Sequence, residues 1–349
     1  MNKVYIVIVN YLKYADTIEC LESVLKSDYT NFQILLIDNS PNDLSEQNLV
    51  KWFNNNYKEV PTLFDELIYP LIDTKVSHVI TSEKEFVLSN KIYNEKIILI
   101  KALNQGFASA NNLGLQYILK DNDPNSLIWI LNNDTVVEKN ALSELVSFYN
   151  NSKSKTGIIG NKIFYYHNRN ELNGIGGRYD KWLGISSHVG ESELDKHQFD
   201  DIDYNNTADY VIGASMFISK EFLLDVGQLN EAYFLFFEEI DWVQRSKKKG
   251  WELGFASKSI LYHKESASIS PGSASSILFE TSFLSSKLIF TFKYHKLALP
   301  IIYLTIVWMV FNRVRRRQFD KVMPLIKVAI NPFAFKKYIT RKMNNIVKN

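Results

Sequence analysis

One stretch limits the fold more than any other: Leu127-Ile128-Trp129-Ile130-Leu131, followed at once by Asn132-Asn133-Asp134. An apolar run of this length, rich in β-branched and aromatic residues, reads as a strand buried on both faces, and such strands belong to parallel sheets covered by helices. The polar triplet then falls at the strand's carboxyl end, the edge at which open α/β sheets bind ligands. Asp134 offers a hard carboxylate oxygen for Mg2+ or Mn2+, and Asn132 can hydrogen-bond a ribose hydroxyl without adding charge. The same triplet is also what an ordinary Asx turn contains, so alone it leaves both readings open.

The chain before it repeats the pattern. Val4 to Val9 is a strand and Asn10-Tyr11 its loop; Ile18, Leu21, Val24 and Leu25 keep helical spacing between Ala15 and Ser27; Phe32 to Ile37 is a second strand ending in Asp38-Asn39-Ser40-Pro41. This βαβ unit brings Asn10 and Asp38 side by side at the carboxyl edge, where Asp38 can accept a hydrogen bond from a nucleobase or ribose, or simply serve a turn. Residues 44–94 show helical fragments such as Asn48 to Phe53 but no clean period, and no chemistry is assigned to them. After a strand at Ile97 to Ile100 comes Asn104-Gln105-Gly106-Phe107-Ala108. Gly106 permits close backbone approach, and the helix opening there, to about Leu119, has free N–H groups suited to a phosphate. A helix from Asn140 to Tyr149, capped by Asn140, follows the central strand.

The second half changes character. Short strands are expected at Gly157 to Gly160 and Ile163 to Tyr166, then a long polar loop from Asn173 to Asp203 of the kind that often binds ligands. The strand Tyr210 to Ile218 breaks at Gly213-Ala214, where a ligand or another backbone can come close. Phe236-Phe237-Glu238-Glu239-Ile240-Asp241, with Arg245 beyond, is the densest acidic constellation. On a helix starting near Glu238, Glu238 and Asp241 share a face, which leaves Glu239 free for chemistry. Acids also suit a first helical turn electrostatically, but the preceding aromatics hold these carboxylates against apolar surface and raise their pKa toward base duty. Ile260-Leu261-Tyr262 reads as a strand leading to His263, a metal ligand or a structural histidine.

A net charge of +2 conceals an asymmetry, because from Lys287 onward fourteen Lys and Arg face the single Asp320, about +13, which leaves about −11 for the first 286 residues. The basic residues flank an uncharged apolar segment, Leu297 to Phe311, rather than alternating with aromatics along a groove, so a membrane surface fits this tail and nucleic acid does not. Fifteen residues make roughly 22 Å of helix against a hydrocarbon core of about 30 Å, which favours an interfacial or re-entrant position, with Arg313, Arg315, Arg316 and Arg317 among anionic headgroups. Cys20 is the only cysteine and Met1 to Val9 is too short for a signal segment, both in keeping with a cytoplasmic location.

In the order Asn10-Tyr11, Ile37-Asp38-Asn39-Ser40, Asn104-Gln105-Gly106-Phe107-Ala108, Leu131-Asn132-Asn133-Asp134, Gly213-Ala214-Ser215-Met216, Phe237-Glu238-Glu239-Ile240-Asp241, Arg245 and His263-Lys264-Glu265-Ser266, the chain resembles family 2 glycosyltransferases, particularly the bacterial rhamnosyltransferase-like branch. The resemblance covers residues 1–268. It implies an α/β GT-A fold, a Rossmann-like nucleotide-sugar-binding domain with a mixed central sheet, while the charge and hydropathy of the tail make 269–349 a region of helices that associate with a membrane. It further implies a UDP- or dTDP-sugar donor, a divalent cation (Mn2+ or Mg2+) and inversion at the anomeric carbon. By the same resemblance Asp38 contacts the base and Asn132 the ribose, Asn10, Tyr11, Asn104 and Gly106 complete the donor side, and Asp134 and His263 hold the metal. Glu239 is the catalytic base, with Glu238, Asp241, Arg245, Gly213 and Ala214 on the acceptor side.

The expected acceptor is a polyprenyl-diphosphate-linked saccharide at the cytoplasmic face of the cell membrane, in O-antigen or capsule assembly. Three features depart from the family's pattern. Asn132-Asn133-Asp134 stands where many members carry two acids, Glu239 where Asp is frequent, and 44–94 occupies the place of an insertion. A nucleotidyltransferase, or a membrane scaffold that keeps the nucleotide fold without turnover, are the rival readings of the same residues.

Overall fold

The computed structural model describes residues 1–89, 91–152, 155–265 and 273–345. The expected βαβ unit is present as β1 (Val4–Asn10), α1 (Tyr14–Leu25) and β2 (Phe32–Asp38). Segment 44–94 folds as α2 (Leu44–Phe53), α3 (Asp65–Ile68), β3 (His78–Ser82) and α4 (Glu83–Leu88). Next come β4 (Ile97–Lys101), α5 (Phe107–Lys120), β5 (Leu127–Asn132), β6 (Thr135–Val137) and α6 (Ala141–Asn151). The second half holds β7 (Thr156–Tyr165), β8 (Leu172–Gly174), β9 (Gly177–Asp180), β10 (Ile185–His188), α7 (Tyr204–Thr207), β11 (Ser215–Ser219), α8 (Lys220–Val226), α9 (Glu238–Lys247) and β12 (Glu252–His263). Four helices close the chain: α10 (Ser273–Tyr294), α11 (Leu299–Arg315), α12 (Phe319–Ile330) and α13 (Pro332–Asn345).

The main sheet runs β3-β4-β2-β1-β5-β11-β7-β12-β6, with β8 on β7. Its first five strands are parallel, in keeping with the continuous apolar runs of β1, β2, β4 and β5, while β11 runs antiparallel to β5. Alternate residues of each strand feed opposite faces. Val7, Leu35, Ile98 and Ile130 pack with α5, and Ile6, Ile8, Leu36 and Trp129 pack with α1 and α6. The buried Trp129 indole donates to Ser215 Oγ at 2.8 Å and so ties β5 to β11 without an unpaired N–H.

Several boundaries differ from expectation for local reasons. The central strand stops at Asn132, because Asn133-Asp134 turns the chain so that Thr135 to Val137 can pair antiparallel with β12. The two short strands around Gly160 are one strand, β7, since parallel pairing with β12 continues across Asn161 and Lys162. The strand expected from Tyr210 begins only at Ser215. Asn140 occupies the cap position of α6 but makes no side-chain cap bond. Segment 44–94 is part of the sheet: β3 pairs along β4 from His78↔Ile97 to Ser82↔Lys101.

The basic tail packs as a helical layer. Leu284 and Leu288 of α10, Ile302 and Ile306 of α11, Leu325 and Val328 of α12, and Phe335 and Ile339 of α13 share one apolar cluster with Phe234. The boundary placed at 268/269 lies outside the described residues, but α10 is continuous with the core, through Phe290 against Phe237 at 5.4 Å. The apolar helix is longer than its uncharged stretch, running from Lys296 to Arg315 with mean hydropathy 1.8, enough by length and composition to cross a membrane. One side of it is used internally, while Leu304, Val307, Trp308 and Phe311 are exposed.

Candidate active site

Register brings the quoted motifs to one edge. Asn10 pairs with Asp38 across β1 and β2, Asn132 with Val9 across β5 and β1, and Ser215 with Leu131 across β11 and β5. A cavity of about 530 Å³ opens there, lined by Tyr11, Asn39, Asn104, Gly106, Asn132, Asn133, Asp134, Gly213, Ala214, Glu238, Glu239, His263 and Glu265, together with an apolar wall.

Two donor-side residues stand behind the cavity rather than on it. Asp38 is fully buried, and its carboxylate accepts from Asn10 Nδ2 at 2.8 Å, the Ser40 amide at 3.0 Å and Lys101 Nζ at 3.0 Å. Asn10 is equally buried and also accepts from Thr17 Oγ1 at 3.0 Å. These bonds hold the β1 and β2 ends together behind the lining, and the neighbouring Asn39 faces the cavity. Gly106 lines the cavity. Its φ is +99°, and a Cβ there would lie 2.4 Å from the Phe234 carbonyl oxygen, so only glycine lets the two backbones meet. The Phe107 amide donates to that same oxygen at 3.0 Å, which leaves this first amide of α5 engaged.

Asp134 and His263 converge from the β5–β6 turn and the end of β12, with Oδ1 and Nε2 3.2 Å apart. Burial works to lower the His263 pKa, but the adjacent Asp134 carboxylate outweighs it and the net shift is upward. His263 Nδ1 is buried without a hydrogen-bond partner. Two ligands at about 2.1 Å on adjacent octahedral positions lie roughly 3 Å apart, so this pair fits one edge of a hard divalent cation's shell. Among the described residues no cluster of three His, Cys, Asp or Glu side chains suited to a metal occurs, so the remaining positions would fall to ligand oxygens and water.

Glu238 and Glu239 line the same cavity from the start of α9. Phe236 and Phe237 both have φ of +71°, a strained pair held by Phe279 and Phe283 packed on Phe236 and by Phe283 and Phe290 on Phe237. This turn starts the helix with Glu239 toward Gly213, where a Cβ would lie 3.8 Å from its carboxyl carbon. Burial raises the pKa of Glu239; burial and then the charge of Glu239 raise that of Glu238. Glu238 lines the cavity with its Oε1 unpartnered.

Asp241 and Arg245 do not line the cavity. Asp241 accepts from Arg245 Nε at 2.8 Å, Lys293 Nζ at 2.6 Å and Tyr294 Oη at 2.9 Å, which pins α9 to α10. Arg245 also donates to the Val226 and Gln228 carbonyls, so both residues brace the helix.

Sequence reasoning missed the apolar wall: Phe234, Leu235 and Phe236 with Leu278 and Phe279 of α10. The aromatic run before Glu238 signalled its first part. Nothing near Leu278 in sequence links it to residues so far upstream.

A family model described as "Glycosyltransferase like family 2" matches residues 2–277. Low-salt glycan biosynthesis hexosyltransferase Agl10 of Haloferax volcanii is 23% identical over 237 residues, covering 65% of this chain and 72% of that protein. The structure of GalNAc-T7 with UDP, GalNAc and Mn2+ superposes with a TM-score of 0.52 at 16% identity, over 75% of this chain and 44% of that one. The chain thus spans less than half of that structure. A mannosyltransferase from Pyrobaculum calidifontis, in complex with GDP-Man and Mn2+, gives 0.49 at 10% identity, over 99% and 88%. The chain belongs to the glycosyltransferase-like family 2 and is a nucleotide-sugar-dependent glycosyltransferase with a GT-A fold.

Proposed function

We propose that this glycosyltransferase is inverting and metal-dependent, and that it moves a sugar from a nucleotide-diphospho-sugar to a lipid-linked saccharide at the cytoplasmic face of the cell membrane, in surface polysaccharide assembly. The observation that carries the reading is that the Asp134–His263 pair and the half-buried Glu239 line one cavity.

The acceptor hydroxyl attacks the anomeric carbon as the bond to the diphosphate oxygen breaks on the opposite face. Its proton passes to Glu239, and the nucleoside diphosphate leaves. A single base suffices for one displacement, unlike hydrolysis by a carboxyl pair flanking the bond. Tyr11, Asn39, Asn104 and Asn132 hold the nucleotide, and Gly106 gives it backbone access. Asp134 and His263 would hold a divalent cation, which would supply positive charge to neutralise the departing diphosphate. GalNAc-T7, the structural relative, carries UDP and Mn2+, in keeping with this role.

A lipid-linked acceptor is supported by the apolar wall beside Glu239 and by the exposed apolar side of α11. The test is a panel of UDP-, dTDP- and GDP-sugars incubated with purified protein and Mn2+ or Mg2+. Metal-dependent hydrolysis or transfer from one of them, with inverted product stereochemistry, is expected. Binding without turnover of any donor would overturn the proposal.

A further inference from the structure

We propose that the tip of the β9–β10 hairpin, Lys181 to Ile185, is a membrane-docking element in its own right, seating Trp182, Leu183 and Ile185 in the interface of an anionic bilayer beside α11. The proposal rests on the membrane association inferred above and adds a part of the catalytic domain to it.

The tip is a built turn. Asp180 Oδ1 accepts from the Trp182 and Leu183 amides at 2.8 and 3.0 Å, and the Gly184 amide donates to the Asp180 carbonyl at 2.7 Å. Four antiparallel pairs, from Ile185↔Asp180 to His188↔Gly177, continue it. Gly184, at φ +61°, is buried against the tail: a Cβ there would lie 2.6 Å from Lys287 Cε and 3.2 Å from Ile302 Cδ1. The hairpin thus sits directly on α10 and α11, yet its apolar side chains stay open to solvent, with Trp182 46% and Ile185 48% exposed. The same helix α11 that the tip touches through Ile302 exposes Leu304 and, at 69%, Trp308.

A turn fixed by its own hydrogen bonds that still holds a Trp, a Leu and an Ile in water needs an occupant for that surface. Charge identifies it. Lys181 stands over the Trp182 ring at 5.9 Å, Lys296 is exposed at the start of the apolar helix, and exposed Arg315, Arg316 and Arg317 close it. Trp and basic residues bordering an apolar surface are the pattern of side chains that settle at the headgroup level of anionic membranes. The hairpin also reaches the site, since Tyr179 packs edge-on to Phe237, the residue that starts the helix carrying Glu238 and Glu239, at 5.8 Å. Docking by this tip would hold the cavity mouth at a set height above the lipid that carries the acceptor.

The test sediments the full chain with vesicles of phosphatidylcholine alone or with phosphatidylglycerol. It compares the parent, the hairpin variant Trp182→Ser/Leu183→Ser/Ile185→Ser and the helix variant Leu304→Ser/Trp308→Ser/Phe311→Ser, with donor hydrolysis in solution as the control for folding. We expect the parent to prefer anionic vesicles and each variant to lose about tenfold or more in partitioning, the loss due to removing apolar side chains that enter the bilayer interface. Hairpin binding equal to the parent's, with the helix variant impaired, overturns the hairpin's role and leaves the membrane reading standing. A parent that ignores vesicles overturns both. A hairpin variant that loses only self-association in light scattering shows a contact between copies instead, and also overturns the proposal. Should the triple variant fold poorly, Trp182→Cys bearing an environment-sensitive dye reports the same thing, because Cys20 is buried. A blue shift on anionic vesicles supports docking, and an unchanged spectrum contradicts it.

Discussion

His263 Nε2 lies 3.2 Å from Asp134 Oδ1 because β12 pairs antiparallel with β6, placing His263 opposite Thr135, the residue after Asp134. A second backbone bond, from the Lys264 amide to the Asp134 carbonyl at 3.0 Å, fixes the turn. The pair is thus set by sheet register, so each member can be removed with little effect on the other's backbone.

Asp134→Asn and His263→Ala should each weaken donor binding as well as turnover. Apparent Mn2+ affinity should fall by at least about 10- to 100-fold, the loss typical even of outer-shell partners, and part of the activity should return at high Mn2+. Metal titrations of donor binding by calorimetry check this, and unchanged metal dependence in both variants would dismiss the pair as ligands.

The pH profile follows from the acids on α9. Glu239 must be ionised to accept a proton, and burial lifts its pKa, so transfer should fall with decreasing pH well above the ordinary carboxylate range. Coupling between two carboxyls is mutual, so Glu238→Gln should move that acid limb to lower pH. Stability carries the matching sign. A carboxyl raised on folding favours the folded state below its unfolded pKa, and that contribution is lost as pH rises through the folded value. Glu238→Gln should therefore raise Tm more in mildly alkaline than in acidic buffer, as calorimetry at two pH values will show.

Much of this was legible in the chain. Strands β1, β2, β4 and β5 announce themselves by apolar runs, and each carries its polar motif at the end where a parallel sheet binds ligands. What could not be read depends on register and distant packing. The ion pair of Asp38 with Lys101 at 3.0 Å depends on β4 pairing beside β2, which no local pattern announces. β3 hides because its residues are only partly covered at the sheet's edge, so His78 to Ser82 lack the apolar run of a central strand. Asp241 shares an acidic cluster with Glu239 but pairs with Arg245 and with Lys293, the latter on a helix no local pattern connects to it.

Asp241→Asn tests that bracing role. Burial works to raise the Asp241 pKa, but hydrogen bonds from Lys293 and Arg245 prevail and hold it below the usual range. Removing its charge leaves Arg245 in a partly buried setting, which should cost up to about 3–5 kcal/mol in urea unfolding. A loss of transfer without loss of stability would instead give Asp241 a direct role in the chemistry.

Gly106→Ala addresses the donor loop. The added methyl meets the Phe234 carbonyl and needs an unfavourable φ, a strain of about 1–3 kcal/mol or more, so the variant should show a lower Tm and weaker nucleotide binding together. Parent-like affinity for the bare nucleoside diphosphate would show that the close approach at Gly106 serves packing alone.

The most direct measurement is the rate of sugar transfer to the true acceptor by Glu239→Gln, alongside its donor affinity. The amide keeps the size and much of the hydrogen bonding of Glu239 but cannot take the acceptor's proton, so transfer should fall by a factor on the order of 10² to 10⁴ with donor affinity nearly unchanged. Transfer at close to the parent rate would contradict the assignment of Glu239 as base.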